Sequence, residues 1–128
     1  MLQHIYQPPG SSLCGQTCVA MLAGISLEES IAAFGGMRGG TRTRDVVRAL
    51  RVLGIRCGEK LIRLRRQQKP DVCIVKLHFD DSKDTHWTLW YKSRFYDPSM
   101  YGQYLLDVGG GEYPAGVRQT SYLPIFMD

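Results

Sequence analysis

The hydrophobic period of this chain changes once, at Gly54, and that change limits the folds open to it. Before Gly54 the apolar residues recur at helical spacing. Val46, Val47, Leu50 and Leu53 share one face of a helix predicted over 43–53, with Thr41 or Thr43 as its cap and Gly54 as its stop. Two shorter helices are predicted ahead of it. One runs over 14–23 and closes at Gly24. The other covers 27–34, opened by a capping box with Ser26 at the N-cap and Glu29 at the third helical position. Gly35-Gly36 and Gly39-Gly40 frame a loop around Met37-Arg38.

From residue 56 onward the signals are β. Residues 60–64 alternate weakly, 67–70 read as a turn, and 72–77 are apolar enough for the middle of a sheet. After a polar loop at 80–84, residues 86–91 form an aromatic, β-branched strand, and Lys92-Ser93 turn it into a partner at 94–96. Residues 98–116 hold five glycines and two prolines and read as a long loop; 117–125 supply a last strand. Helices first and an antiparallel sheet after define an α+β fold, with the N-terminal helices packed on the sheet.

A length of 128 residues predicts one domain, 1–128, with a core of its own. No run approaches the ~20 apolar residues of a membrane span, and the N-terminus lacks a signal-peptide pattern. The expectation is therefore a cytoplasmic protein, although export by a dedicated secretion system would leave no mark of this kind. The net charge of +4 comes largely from Arg38, Arg42, Arg44, Arg48, Arg51, Arg56, Arg63, Arg65 and Arg66. Arg44, Arg48 and Arg51 fall on one side of the predicted helix and read as a solvated face, able to dock an acidic partner or substrate. No nucleic-acid motif or interleaved aromatics accompany them, which argues against a nucleic-acid partner. Nothing in the sequence speaks to oligomeric state.

The four cysteines, at 14, 18, 57 and 73, are too sparse for a disulfide scaffold. Cys14 and Cys18 share a helical face, and His4, His78 or His86 would have to complete any metal site. No second paired cluster exists, so no metal and no cofactor are expected.

Cys14 stands where the polar, Pro/Gly-rich stretch 7–12 gives way to an apolar helical run. A thiol in the first turn of a helix meets unpaired N–H groups and the positive end of the helix dipole, and both favour the thiolate. His86 opens a strand and Asp97 ends its hairpin partner. The turn at 92–93 sets 86–88 opposite 97–99, so Asp97 is expected to hold the Nδ1 proton of His86 and orient the ring toward Cys14. Each residue alone has an ordinary explanation: a packing cysteine, a surface histidine, an Asp-Pro turn. Together, in the order Cys, His, Asp, they supply the parts of nucleophilic catalysis. His4, in the N-terminal arm, and His78, near the end of an apolar strand, are poorer candidates.

Gln7, the run Cys14-Gly15-Gln16-Thr17-Cys18-Val19-Ala20-Met21-Leu22, then His86-Trp87 and Tyr96-Asp97-Pro98 resemble the C39-like branch of the papain-type cysteine peptidases. That family includes the peptidase domains of bacteriocin-exporting transporters and small stand-alone bacterial proteins. The resemblance implies a papain-like fold, with Cys14 as nucleophile, His86 as general base and acid, and Asp97 as its orienting partner. It makes Gln7 the side-chain donor of the oxyanion hole, beside the Cys14 N–H. Gln7 stands one residue further from Cys14 than the family pattern has it, which keeps Gln16 as a second candidate. Cys18 falls where the family carries a small residue and reads as buried and inert.

The implied activity is a thiol hydrolase that cleaves a peptide or related amide of a peptide or protein substrate through an acyl-enzyme. The same triad serves deamidation, acyl transfer or peptidoglycan amide cleavage, as an effector or toxin would use it. Two readings from other classes stand beside it: a papain-like module that binds peptide without turnover, and a thiol-ligated metal site.

Overall fold

A computed structural model gives the fold, and residues 2–66 and 68–127 are described. Gln67, the first residue of the turn expected at 67–70, lies outside them. In chain order the elements are α1 (Cys14–Ala23), α2 (Leu27–Ala33), α3 (Thr43–Val52), β1 (Ile62–Arg63), β2 (Val72–Phe79), β3 (Thr85–Tyr91), β4 (Arg94–Tyr96), α4 (Met100–Val108) and β5 (Val117–Pro124).

Local chemistry accounts for the first three helices. Residues Gly15 to Leu22 of α1 are all buried, so this helix is covered around its whole circumference and lies within the protein. Gly24 ends it at φ 70°, a conformation that glycine adopts without strain. The capping box opens α2 as expected: Ser26 Oγ accepts from the Glu29 N–H and the Glu29 carboxylate from the Ser26 N–H, both at 3.1 Å. Neither Thr41 nor Thr43 caps α3, contrary to expectation. Arg42 is the N-cap, its N–H donating to the Asp45 carboxylate at 2.8 Å, while the Thr41 hydroxyl is turned inward against Gly15.

The sheet has the order β1-β5-β2-β3-β4 and is antiparallel throughout. The last strand thus returns to pair between β1 and β2. Helices α1 to α3 form a layer on one face, where α1 lies on β3 and the core joins Val19, Leu22, Val46 and Leu50 to Ile74, Leu89 and Leu123. Cys73, Val75 and Leu77 of β2 point to the other face, into a second cluster with Phe95 and Leu106. Burial on both faces explains why β2 reads as a continuous apolar run.

Leu106 belongs to α4, a helix within a stretch expected to be loop. Ser99 caps it, accepting from the Gly102 N–H at 3.2 Å. Its helical pattern is hidden because Gly102 interrupts the first turn and its outer side is apolar: Met100, Tyr101, Tyr104 and Val108 are exposed. No contrast between polar and apolar sides remains to betray the period. The rest of the stretch, 109–116, is loop as expected. Among the described residues no helix is long and apolar enough to cross a membrane.

The hairpin that carries β3 into β4 turns on Lys92 and Ser93, at φ 47° and 71°. Both lie in the left-handed region that a two-residue hairpin turn requires, and neither is the glycine that enters it freely. Ser93→Gly is therefore expected to stabilise the protein by about 1 kcal/mol in urea unfolding, with the hairpin register unchanged. Equal or lower stability would show that the turn stores no such strain.

Candidate active site

Cys14 is the first residue of α1 and is partly exposed, while the residues after it are buried. No side chain caps the helix at Leu13, so the first-turn N–H groups are left to whatever approaches Cys14. Gly15 has a steric reason. A Cβ there would run into the Thr41 hydroxyl and approach Trp87 Cδ1 to 3.3 Å. The missing side chain lets Thr41 and Trp87 close around the helix start.

The β3–β4 register pairs Leu89 with Tyr96, which sets Thr88 across from Asp97 and His86 diagonally from it. Alternation puts His86 and Thr88 on the same side of the strand. From there His86 Nε2 meets Asp97 Oδ1 at 2.8 Å. The expectation of Nδ1 is corrected: Asp97 takes Nε2. Cys14 stands on the wall of the same cleft as the ring and acts on its charge, and Nδ1 is the nitrogen that Asp97 leaves free. Residues 14, 86 and 97 thus converge, from the start of a helix, a strand and the end of its hairpin partner.

Asp97 is fully buried and its carboxylate is well supplied with donors. Oδ1 also accepts from the Ser99 N–H at 2.8 Å, and Oδ2 accepts from the Tyr113 hydroxyl at 2.5 Å. The Tyr113 oxygen lies 2.7 Å from Thr88 Oγ1. The main chain is pinned too, since His4 Nε2 donates to the Asp97 carbonyl at 2.7 Å and the Asp97 N–H donates to Gln103 Oε1 at 3.3 Å. Gly102 leaves room for all this; a Cβ there would coincide with the Asp97 carboxylate. Burial by itself lowers the His86 pKa, but the hydrogen bonds and charges of Asp97 and Cys14 outweigh it and push the value up to about 10.

The other three cysteines are held as thiols. Burial, then the charges of Cys14 and Asp97, pushes Cys18 well up; burial raises Cys57 and takes Cys73 up to about 12. Cys18 lies fully inside the core, as expected of an inert residue.

Cys14 and His86 line a cleft of about 490 Å³ with Gln7, Ser11, Thr41 and Trp87 on its walls. Gln7 is anchored through its backbone N–H to the Pro98 carbonyl at 2.7 Å. Its side-chain amide donates to the Ser11 carbonyl at 2.8 Å, with a longer contact of 3.3 Å to Ser11 Oγ. Gln7 Oε1 and Thr41 Oγ1 are buried here without a hydrogen-bond partner among the described residues. Gln16, the second candidate for the oxyanion, is instead buried beneath the glycine-rich loop, donating to the Met37 and Gly39 carbonyls at 2.9 and 3.0 Å. A larger groove of about 680 Å³, lined by Lys69, Trp90, Phe95, Glu112 and Tyr113, contains neither Cys14 nor His86.

Thr88, Ser99, Gly102 and Tyr113 did not emerge from the sequence as site residues. Asp97-Pro98-Ser99 carries a local signal, because an Asp that accepts from the N–H two residues on is a common turn. Tyr113 carries none; it reaches Asp97 only through the folding of 98–116. Among the described residues no group of three or more His, Cys, Asp or Glu side chains is placed to hold a metal ion.

Comparison with protein-family models, curated proteins and solved structures finds no match to this chain. The geometry makes a pH prediction of its own. The folded pKa of His86 lies above its ordinary 6.5, so protonation of the ring favours the folded state. That contribution is full below about 6.5 and is lost as pH rises through about 10. Unfolding free energies of the unaltered protein and His86→Gln should therefore converge over that interval. A gap independent of pH would contradict the assigned protonation.

Proposed function

We propose that this protein is a thiol hydrolase of papain-like fold that cleaves a peptide or related amide bond, like the C39-like cysteine peptidases its motifs resemble. The observation that carries the reading is the His86 ring, held by Asp97 on Nε2 at 2.8 Å and lining one cleft with Cys14. The papain-like reading is supported by a cysteine at the start of a buried helix, packed on an antiparallel sheet that carries an imidazole and leads into a carboxylate.

In this mechanism His86 already holds the proton taken from Cys14, and the thiolate attacks the acyl carbon, forming the C–S bond as the carbonyl pair moves to oxygen. The Cys14 N–H and the Gln7 amide stabilise that oxyanion. Gln7 keeps one amide hydrogen on the Ser11 carbonyl, and the other, held only by the long contact to Ser11 Oγ, turns to the oxyanion. As the tetrahedral carbon collapses, the C–N bond breaks and the imidazolium protonates the leaving amine. Water, deprotonated by His86, then attacks the thioester and releases the acid with the free thiol. Transfer to an amine and deamidation of a glutamine side chain use the same steps with a different acceptor or donor. Asp97 holds the ring in the working tautomer and stabilises its charged form without taking the proton. The work is done in the cytoplasm or wherever a dedicated secretion system delivers the protein.

The competing reading, a peptide-binding module without turnover, draws on the Gln7 amide already donating to Ser11. Peptide mixtures and glutamine-containing proteins, followed by mass spectrometry, separate the two. Expected are product formation and a thioester on Cys14, both abolished in Cys14→Ala. Turnover should fall about 10³-fold or more in His86→Ala and about 10²-fold in Gln7→Ala. Peptide capture by the unaltered protein with neither product nor thioester would establish the binding module instead.

A further inference from the structure

We infer that Tyr113 is a positioning residue for the site: its hydroxyl fixes the plane and the charge of the Asp97 carboxylate, and through it the His86 ring. The inference rests on the reading of Cys14, His86 and Asp97 as a working set.

Asp97 has no exposed surface, so neither carboxylate oxygen has bulk water to turn to. A buried carboxylate oxygen without a donor is costly. Oδ1 has two donors, His86 Nε2 and the Ser99 N–H, each at 2.8 Å. For Oδ2 the donor is Tyr113, at 2.5 Å. The direction of the proton follows from the partners. An ionised carboxylate can only accept, so the single phenolic proton points at Asp97. The Thr88 hydroxyl, 2.7 Å from the phenol oxygen, then supplies its own proton to Tyr113.

The result is a donor chain, Thr88 to Tyr113 to Asp97, that meets the His86 ring at the same carboxylate. Tyr113 itself is held edge-on to Phe95, with ring centroids 4.9 Å apart. Burial, and then the charge of Asp97, pushes its phenol pKa well up, so the hydroxyl remains a donor throughout the working range.

Two consequences follow for catalysis. With Oδ2 tied to Tyr113, the carboxylate cannot swing away from the ring, and Oδ1 stays on Nε2. The phenol also shares the negative charge of the carboxylate, which weakens its pull on the His86 proton. The titratable groups facing this pair are Cys14 and Cys18 from α1 and Tyr113 from the loop after α4, with Lys83 and Asp84 on the cleft wall beside His86.

The test is the titration of the carbon-bound ring protons of His86 by NMR in the full chain, with His78 as an internal control. Loss of the donor in Tyr113→Phe leaves the Asp97–His86 unit more proton-hungry, so the His86 midpoint should rise by roughly half to one pH unit. Site-specific 3-fluorotyrosine at position 113 is a stronger donor of nearly the same shape; it should move the midpoint the other way. That second protein answers the question even if Tyr113→Phe does not fold. A midpoint unmoved in either folded protein, or moved in the opposite sense, overturns the assignment and leaves Tyr113 as packing.

Failure of the hydrolase reading looks different. Cys14 that alkylates like a free thiol in the unaltered protein would remove that reading while the Tyr113-dependent shift of His86 persisted. Fast Cys14 beside an unmoved His86 would overturn the Tyr113 assignment alone.

Discussion

The site depends on keeping one carboxylate charged in a place without water. Asp97 has no exposed surface, and its oxygens are met by an imidazole, a backbone N–H and a phenol. Breaking one partner of such a buried pair typically costs about 3–5 kcal/mol, which sets the scale on which this arrangement must be supported. Much of the C-terminal half serves that support. The hairpin turn at Lys92-Ser93 sets Thr88 across from Asp97, Ser99 turns its N–H back on the carboxylate and caps α4, and Gly102 omits the side chain that would displace it.

The N-terminal half supplies the other partner under a similar constraint. Helix α1 is buried from Gly15 onward, so its first residue is the place where a thiol meets both the helix N-terminus and solvent. Gly15 lets Thr41 and Trp87 close on that end, and Trp87 is the neighbour of His86 on β3. The packing of α1 on β3 therefore sets the distance between Cys14 and His86. The two halves are also tied beside the site, because Gln7 and His4 of the N-terminal arm hydrogen-bond the carbonyls of Pro98 and Asp97. Core mutations at the α1–β3 contact should act on reactivity as well as stability.

Much of this was legible locally. A Pro/Gly-rich lead-in followed by an apolar run and a glycine delimits α1 at Cys14 and Ala23, and the aromatic strands with their two-residue turn define the hairpin. The pairing of His86 with Asp97 could be expected from the hairpin register, and Cys14 joined them through its place at a helix start. What escaped depends on tertiary structure. Helix α4 is apolar on its exposed side and broken by Gly102, so periodicity is silent there. The placement of β5 between β1 and β2 is a long-range choice that no local pattern records. Register fixes which residues are neighbours but not which ring nitrogen is used, hence Nε2 where Nδ1 was expected. Tyr113 reaches Oδ2 of Asp97 from a glycine-rich loop whose course the sequence does not display.

The central claim is that His86 activates Cys14, and the rate of Cys14 alkylation by iodoacetamide against pH tests it most directly. An activated pair gives one fast-reacting thiol, absent in Cys14→Ala. In His86→Ala that profile should move toward an ordinary thiol. Slow reactivity spread over the cysteines, with a profile indifferent to His86, would contradict the pairing on which the proposed chemistry stands.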